Sequence, residues 1–229
     1  MLLLGLTKTT LLDYPGHVAS TIFTGGCNFR CPFCHNGQLV LNPAGEESIS
    51  EEEVFDHLRK RKNVLDGVCI TGGEPTIQAD LYIFIQKIKD MGYSIKLDTN
   101  GTNPQLLEKL VEDKLIDYVA MDVKNTSLKY PETAFCTENA LKRVKESVDY
   151  LLKGMIPYEF RTTVVRELHD AGDLKEIASW IAGADCWYIQ SYKDSDNVID
   201  HRFHAYSKEE LEEMILGIEE VPVFLRGVE

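Results

Sequence analysis

Apolar positions along the chain recur in two alternating rhythms. Short runs rich in β-branched and aromatic residues predict strands at Val18–Thr24, Gly67–Thr71, Tyr93–Asp98, Asp117–Asp122, Tyr158–Val165 and Cys186–Ser191. Between them lie longer segments with helical spacing. In Ala79–Met91, Leu81, Phe84, Ile85 and Ile88 share one face and Gly92 closes the helix. Ser50–Lys62 opens with Ser50 as N-cap and Glu53 three residues on, the spacing of a capping box. Pro104–Asp113 places proline in its first turn after Asn103 as cap. Glu138–Leu152, Ala171–Ile181 and Lys208–Leu216, the last capped by Ser207, complete the helices, and Val221–Val228 reads as a terminal strand. Strand–helix alternation with short connections predicts parallel strands and right-handed crossovers. About six such units fall short of the eight of a closed barrel. The expected architecture is α/β, a partial open (β/α)6 barrel with outer helices; periodicity alone leaves a flat doubly wound sheet open.

No linker, low-complexity segment or repeat interrupts the 229 residues, so a single domain over 1–229 is expected, with a short C-terminal extension at 207–229. The 44% hydrophobic and 27% charged content excludes a disordered chain. No apolar run nears the roughly 18 residues that span a bilayer, and Met1–Leu6 lacks a basic leader. A cytoplasmic protein without membrane contact is the expectation. Lys and Arg number 24 against 37 Asp and Glu, a net charge of −13 that repels phosphate and argues against a nucleic-acid partner. The acid is uneven. Met1–Gly45 carries a net +1, whereas Asp194–Glu229 sets ten acids against Arg202, Lys208 and Arg226. That tail reads as a solvated helical face or as a docking surface for a basic partner.

Six cysteines are too few and too unevenly placed for a disulfide scaffold. Cys69, Cys136 and Cys186 stand alone, and Cys69 and Cys186 read as core thiols. Cys27, Cys31 and Cys34 cluster at intervals of four and three, just after a strand, in the segment 25–36. Three soft ligands so close together suit a multinuclear iron–sulfur cluster or a zinc ion. Gly25 and Gly26 allow a tight turn, while Pro32 and Phe33 stiffen and shield it. Three cysteines leave one iron of a cubane without a protein ligand, a vacancy that a cofactor can fill. Cys31-Pro32-Phe33-Cys34-His35 also matches covalent haem attachment, which needs an oxidising assembly route. Cys27, Cys31, Cys34 and His35 are formally a Cys3His zinc set, although adjacent Cys34 and His35 fit one tetrahedral ion awkwardly. Purely structural thiols are the remaining reading. Arg30 is a solvated charge or a balance for a cluster, and His35 a hydrogen-bonding loop residue.

Other candidates sit where strands end, the usual ligand side of an α/β fold. Thr71-Gly72-Gly73-Glu74-Pro75 offers close backbone approach at Gly72 and Gly73, with the acid Glu74 beside it. Asp98 opens Asp98-Thr99-Asn100-Gly101, and Asp122 ends the next strand with Lys124 two residues on. Two acids and a lysine suit a zwitterion; strand-end caps are the plain alternative. Arg161, inside a β-rich run, either points into the partial barrel or marks an edge. Gln190 and Ser191 end a later strand.

Taken together, these segments resemble the radical S-adenosylmethionine superfamily, whose CxxxCxxC triplet has an aromatic residue before the third cysteine, here Phe33. Leu12-Asp13-Tyr14-Pro15-Gly16, Cys34-His35-Asn36 and Gly72-Gly73-Glu74-Pro75 extend the resemblance to activating enzymes of glycyl radical enzymes. The nearest subgroup is the anaerobic ribonucleoside-triphosphate reductase activating proteins, and the likeness spans Leu6 to Val228. It implies a [4Fe–4S] cluster on Cys27, Cys31 and Cys34. It further implies that Phe33, Gly72, Gly73, Glu74, Asp98, Asn100, Asp122, Lys124, Arg161 and Gln190 surround S-adenosylmethionine. Asp98 and Asp122, with the nearby backbone of Thr99 and Met121, are the implied contacts of a monovalent cation. The implied reaction is reductive cleavage of S-adenosylmethionine to a 5′-deoxyadenosyl radical, which takes a glycine α-hydrogen from the partner. That partner would be an anaerobic ribonucleotide reductase, with a flavodoxin or ferredoxin as electron donor. Alternatives are activation of a pyruvate formate-lyase-like enzyme and small-molecule chemistry of the 7-carboxy-7-deazaguanine synthase kind. The late histidine of the pyruvate formate-lyase activase has no counterpart here, where Gln190, Ser191 and Tyr192 stand.

Overall fold

The computed structural model describes residues 1–228. In chain order its strands and α-helices are β1 (Leu3–Thr10), β2 (Ala19–Thr24), α1 (Gly37–Leu41), α2 (Glu51–Arg61), β3 (Gly67–Gly72), α3 (Leu81–Asp90) and β4 (Ser94–Thr99). They continue as α4 (Pro104–Glu112), β5 (Tyr118–Asp122), α5 (Tyr130–Ala134), α6 (Glu138–Leu151), β6 (Tyr158–Val164), α7 (Ala171–Trp180), β7 (Trp187–Ser191), α8 (Lys208–Met214) and β8 (Val223–Arg226). All eight strands form one sheet in sequence order, and every neighbouring pair from β2 to β8 is parallel. A strand order without reversal removes the doubly wound alternative, because crossovers of one hand then stack their helices on one face. Among the described residues β1 and β8 are not paired with each other, so the sheet stays open.

Successive strand residues face opposite sides, and here the two sides differ in chemistry. Val68, Ile70, Ile95, Leu97, Val119, Met121, Phe160 and Ile189 point outward and are fully buried, in one core with Phe84, Ile85, Leu107, Val144 and Ile177 of the helices. Each such large side chain contributes about 1.5–3 kcal/mol by leaving water. Alternating with them, Lys96, Asp98, Tyr118, Asp122, Glu159, Arg161 and Gln190 occupy the inner, concave side. The hydrophobic work of the fold therefore lies outside the sheet, and the inside is left for polar groups.

The expected helix starts hold. Ser50 and Glu53 form the capping box of α2, while Asn103 and Ser207 cap α4 and α8. Three elements go beyond the sequence reading. β1 pairs antiparallel with β2 through an irregular register, and α1 and α5 have five residues each, too few to show a period. The terminal strand expected within Val221–Val228 is β8, which pairs with β7 at the edge of the sheet; Glu229 lies outside the described residues. Leu12-Asp13-Tyr14-Pro15-Gly16 forms the floor of the partial barrel. Asp13 accepts a hydrogen bond from Thr21, and buried Tyr14 stacks on His17 at 3.9 Å and meets Tyr118 at 6.1 Å. No helix among the described residues is long and apolar enough to cross a membrane.

Candidate functional site

The C-terminal strand ends surround a cavity of about 250 Å³. Cys27, Cys31, Cys34 and Phe33 form one wall; Gly72, Gly73, Glu74, Asp98, Thr99, Asn100, Asp122, Lys124, Arg161 and Gln190 line the rest. Met121, also expected here, does not line it. It is the neighbour of Asp122 on β5 and so faces outward, where its side chain covers Gly101. The lining also includes Thr71 and Asn36, from two of the motifs singled out in the sequence, and Thr163 and Phe29, to which no role was given.

The cysteine loop is held at many points. All three thiols are free. Burial pushes Cys27 up to about 11 and Cys31 up to about 12, and raises Cys34, so empty thiols keep their protons at neutral pH. The Phe29 amide and the Asn100 side-chain amide donate to Cys27 Sγ at 3.3 and 3.9 Å. Arg30 is exposed, as a solvated loop charge would be, and its guanidinium donates to the carbonyls of Cys27 and Phe29. Asn36 donates to the Gly72 carbonyl at 2.7 Å. His35 reaches beyond the loop, with Nε2 2.7 Å from the Lys193 carbonyl oxygen and its ring stacked on Tyr192 at 5.5 Å. Two further backbone bonds, Gly37 N to Asn197 O and Asp200 N to Pro32 O, make residues 192–203 a strap across the loop. Phe203 closes it edge-on against Phe33 at 6.1 Å.

The turn after β3 is pressed against the same loop. Gly72 has φ +109°, and a Cβ on Gly73 would overlap the Gly26 carbonyl, so both positions require glycine. The Gly73 and Glu74 amides donate to Thr24 O and Gly26 O, each at 2.8 Å. Glu74 is 1% exposed. Its Oε1 accepts from the Thr76 amide, the Thr76 hydroxyl and the Thr99 hydroxyl, and its Oε2 from the Asn100 amide at 2.6 Å. Burial raises its pKa, and the donors only partly offset that. Glu74 thus ties the β3 turn to the β4 turn within the cavity wall.

Opposite the thiols runs a chain of charges. Asp98 pairs through Oδ1 with Lys96 Nζ and through Oδ2 with Arg161 Nη1 at 3.0 Å. Asp122 receives Arg161 Nε on Oδ1 at 2.9 Å and Lys124 Nζ on Oδ2 at 2.8 Å. Burial works against ionised Asp122, but Arg161 and Lys124 outweigh it and hold the carboxyl at about 2. The same opposition, with Arg161 and Lys96, lowers Asp98. Lys124 is positioned from outside the cavity as well, because His169 Nε2 lies 2.8 Å from its carbonyl oxygen. Deeper inside, Glu159 is bound by Arg226 at 3.0 Å and by the Tyr118 hydroxyl at 3.1 Å. Lys96 and Glu159 are the charged residues that the sequence reading missed. Their signal was a charge at every second position of an otherwise apolar strand, two residues before Asp98 and Arg161.

Comparison with known proteins agrees with this geometry. Residues 21–181 match the Radical SAM superfamily. A Methanocaldococcus jannaschii protein, provisionally named a glycyl-radical enzyme activating enzyme, is 36% identical over 196 residues, covering 84% of this chain and 80% of its own. The pyruvate formate-lyase-activating enzyme of Listeria monocytogenes is 35% identical over 125 residues, 49% of each chain. In structure, Streptococcus suis SuiB bound to S-adenosylmethionine superposes with a TM-score of 0.68 at 16% identity, over 88% of this chain and 48% of that one. That likeness concerns the fold.

Proposed function

The chain belongs to the radical SAM superfamily, and from that premise we propose that it activates a glycyl radical enzyme, with an anaerobic ribonucleotide reductase as its target. The observation that carries the reading is the meeting of three free, shielded thiols with a charged cradle across one cavity. The donor set fits a [4Fe–4S] cluster. Cys27, Cys31 and Cys34 would hold it, Phe29 and Phe33 would keep water from it, and the Phe29 and Asn100 amides already point at one thiol. When bound and reduced, such a cluster supplies the electron that breaks the C5′–S bond of S-adenosylmethionine and yields the hydrogen-abstracting 5′-deoxyadenosyl group.

The chain's own residues bind and orient. Gly72 and Gly73 give the cofactor's methionine end a wall without side chains. Lys124 keeps two ammonium hydrogens beyond its bond to Asp122, enough to meet a carboxylate. Thr163 and Gln190 line the cavity from the far strands and would meet the adenosine end. Hydrogen-atom abstraction needs no side-chain base, so placement is the protein's main task. An open sheet leaves a mouth for a peptide loop. A flavodoxin or ferredoxin completes the reading as electron donor, in the cytoplasm. One sheet carrying every site element supports a single domain.

Leu12–Gly16, which favoured an activase in the sequence, lies at the end of the sheet opposite the cavity, with Tyr14 buried there. The match to a pyruvate formate-lyase-activating enzyme makes a lyase-like target the second one to try. The test is anaerobic electron paramagnetic resonance of the reconstituted, reduced protein mixed with S-adenosylmethionine and each candidate enzyme in turn. A glycyl doublet with the reductase alone is expected. A doublet with another enzyme reassigns the target, and a cofactor-perturbed cluster signal without any doublet points to a small-molecule substrate.

A further inference from the structure

The monovalent cation implied by the sequence resemblance does not fit the residues present. Of its four expected contacts, Thr99 and Met121 would offer backbone atoms, and only Asp98 and Asp122 would offer charge. Asp98 and Asp122 keep no unpaired carboxylate oxygen, since Lys96, Arg161 and Lys124 take all four. Three fixed positive charges already serve two carboxylates. A metal ion entering between them would meet net repulsion in a poorly hydrated site.

We propose that Lys96 supplies from within the chain the positive charge that an ion would otherwise bring, so that S-adenosylmethionine binding here is independent of sodium and potassium. Lys96 stands two residues before Asp98 on β4, which places both side chains on the concave face. Its side chain is 3% exposed and ends against Asp98, with Cys69 Sγ 3.8 Å away. A lysine so enclosed is stable only as half of an ion pair. Its stem fills the space under Asp98, so its ammonium is delivered to that carboxylate with no ion to recruit. Arg161 then bridges Asp98 to Asp122, and Lys124 finishes the row at the cavity surface.

The inference rests on the cofactor reading above, and the experiment separates the two. S-adenosylmethionine affinity of the reconstituted protein is measured anaerobically in potassium chloride, sodium chloride and choline chloride at equal ionic strength. Wild-type affinities are expected to agree within about twofold across the three salts, well inside the 1.4 kcal/mol that marks a tenfold change. Lys96→Met opens a hole beside an uncompensated carboxylate. This variant should bind about tenfold more weakly in choline and regain affinity in potassium or sodium. Lys96→Arg keeps the charge and should remain indifferent to the salt. A wild-type protein that loses tenfold or more in choline overturns the proposal, whatever becomes of the variants. So does a folded Lys96→Met protein that binds like wild type in choline. No binding by wild type in any salt would instead sink the cofactor assignment.

Discussion

Gly73 shows how little freedom single residues have at this site. The Gly26 carbonyl occupies the space that any Cβ at Gly73 would need, while the neighbouring Gly73 and Glu74 amides hold that contact closed. Gly73→Ala must push the cysteine loop away from the β3 turn. We expect a loss of about 1–3 kcal/mol in denaturant unfolding of the metal-free protein, as for other overpacked sites, together with poorer cluster incorporation. Unchanged stability and full iron content would show that the two turns part easily. Glu74 gives a second residue-level expectation. Read from the sequence it is a cofactor contact, whereas the structure gives its carboxylate four internal donors. Glu74→Gln turns one acceptor oxygen into an NH2 that faces donors. The metal-free protein should lose about 2–3 kcal/mol, the cost of leaving buried hydrogen-bonding groups unsatisfied. A variant as stable as wild type that merely binds S-adenosylmethionine weakly would return Glu74 to direct ligand contact.

At the level of elements, what holds the cysteine loop in place is a segment without regular structure. The strap at 192–203 meets the loop through His35, Pro32, Gly37 and Phe33. His35→Ala removes the contact to the Lys193 carbonyl and the stack on Tyr192. Hydrogen exchange should quicken in residues 193–200 while the amides of β3 and β4 keep their protection; equal exchange in both proteins would mean that the remaining strap contacts suffice. The strap could not be read from the sequence, because an irregular segment has no period and its partners lie some 160 positions earlier. The strands and long helices were legible for the opposite reason: burial on one side imprints a period of two or of 3.6. β1 escaped because Leu3–Thr10 is an edge strand whose outer residues, Thr7, Lys8 and Thr9, are exposed, so burial leaves only a partial alternation. Much of the cavity wall was legible as well, since Asp98, Asp122 and Gln190 stand at or near the ends of predicted strands. Lys96 and Glu159 were passed over because they lie mid-strand, where a charge looks like exposure. In a partial barrel the inward face is polar and enclosed, so the same alternation marks an interior ion pair.

For the molecule as a whole, an apolar layer outside the sheet and an ionised row inside it make different demands of pH. Hydrophobic burial is indifferent to protons, whereas Asp98 and Asp122 must stay charged opposite Lys96, Arg161 and Lys124. In the folded chain Asp122 titrates at about 2, because Arg161 and Lys124 outweigh its burial; unfolded, it reverts to about 3.9. Between those values the unfolded chain binds more protons, so stability rises with pH across that window. The contribution is complete above about pH 4 and is lost as pH falls through the folded value, and for a shift of this kind it is on the order of 2–3 kcal/mol. Arg161 and Lys124, both raised by their acidic partners, keep their protons throughout and add no slope. Asp122→Asn should be the less stable protein at pH 7, by about 3–5 kcal/mol, because Arg161 and Lys124 lose their partner in a buried site. The same variant should lose less than wild type between pH 4 and pH 2, so the two stability curves converge in acid. The comparison cancels the many surface carboxylates behind the net charge of −13, which both proteins share. Urea unfolding of the metal-free proteins at a series of pH values gives both curves. If they run parallel from pH 7 to pH 2, the acid sensitivity lies on the surface, and the inner row is not what the carboxylates hold together.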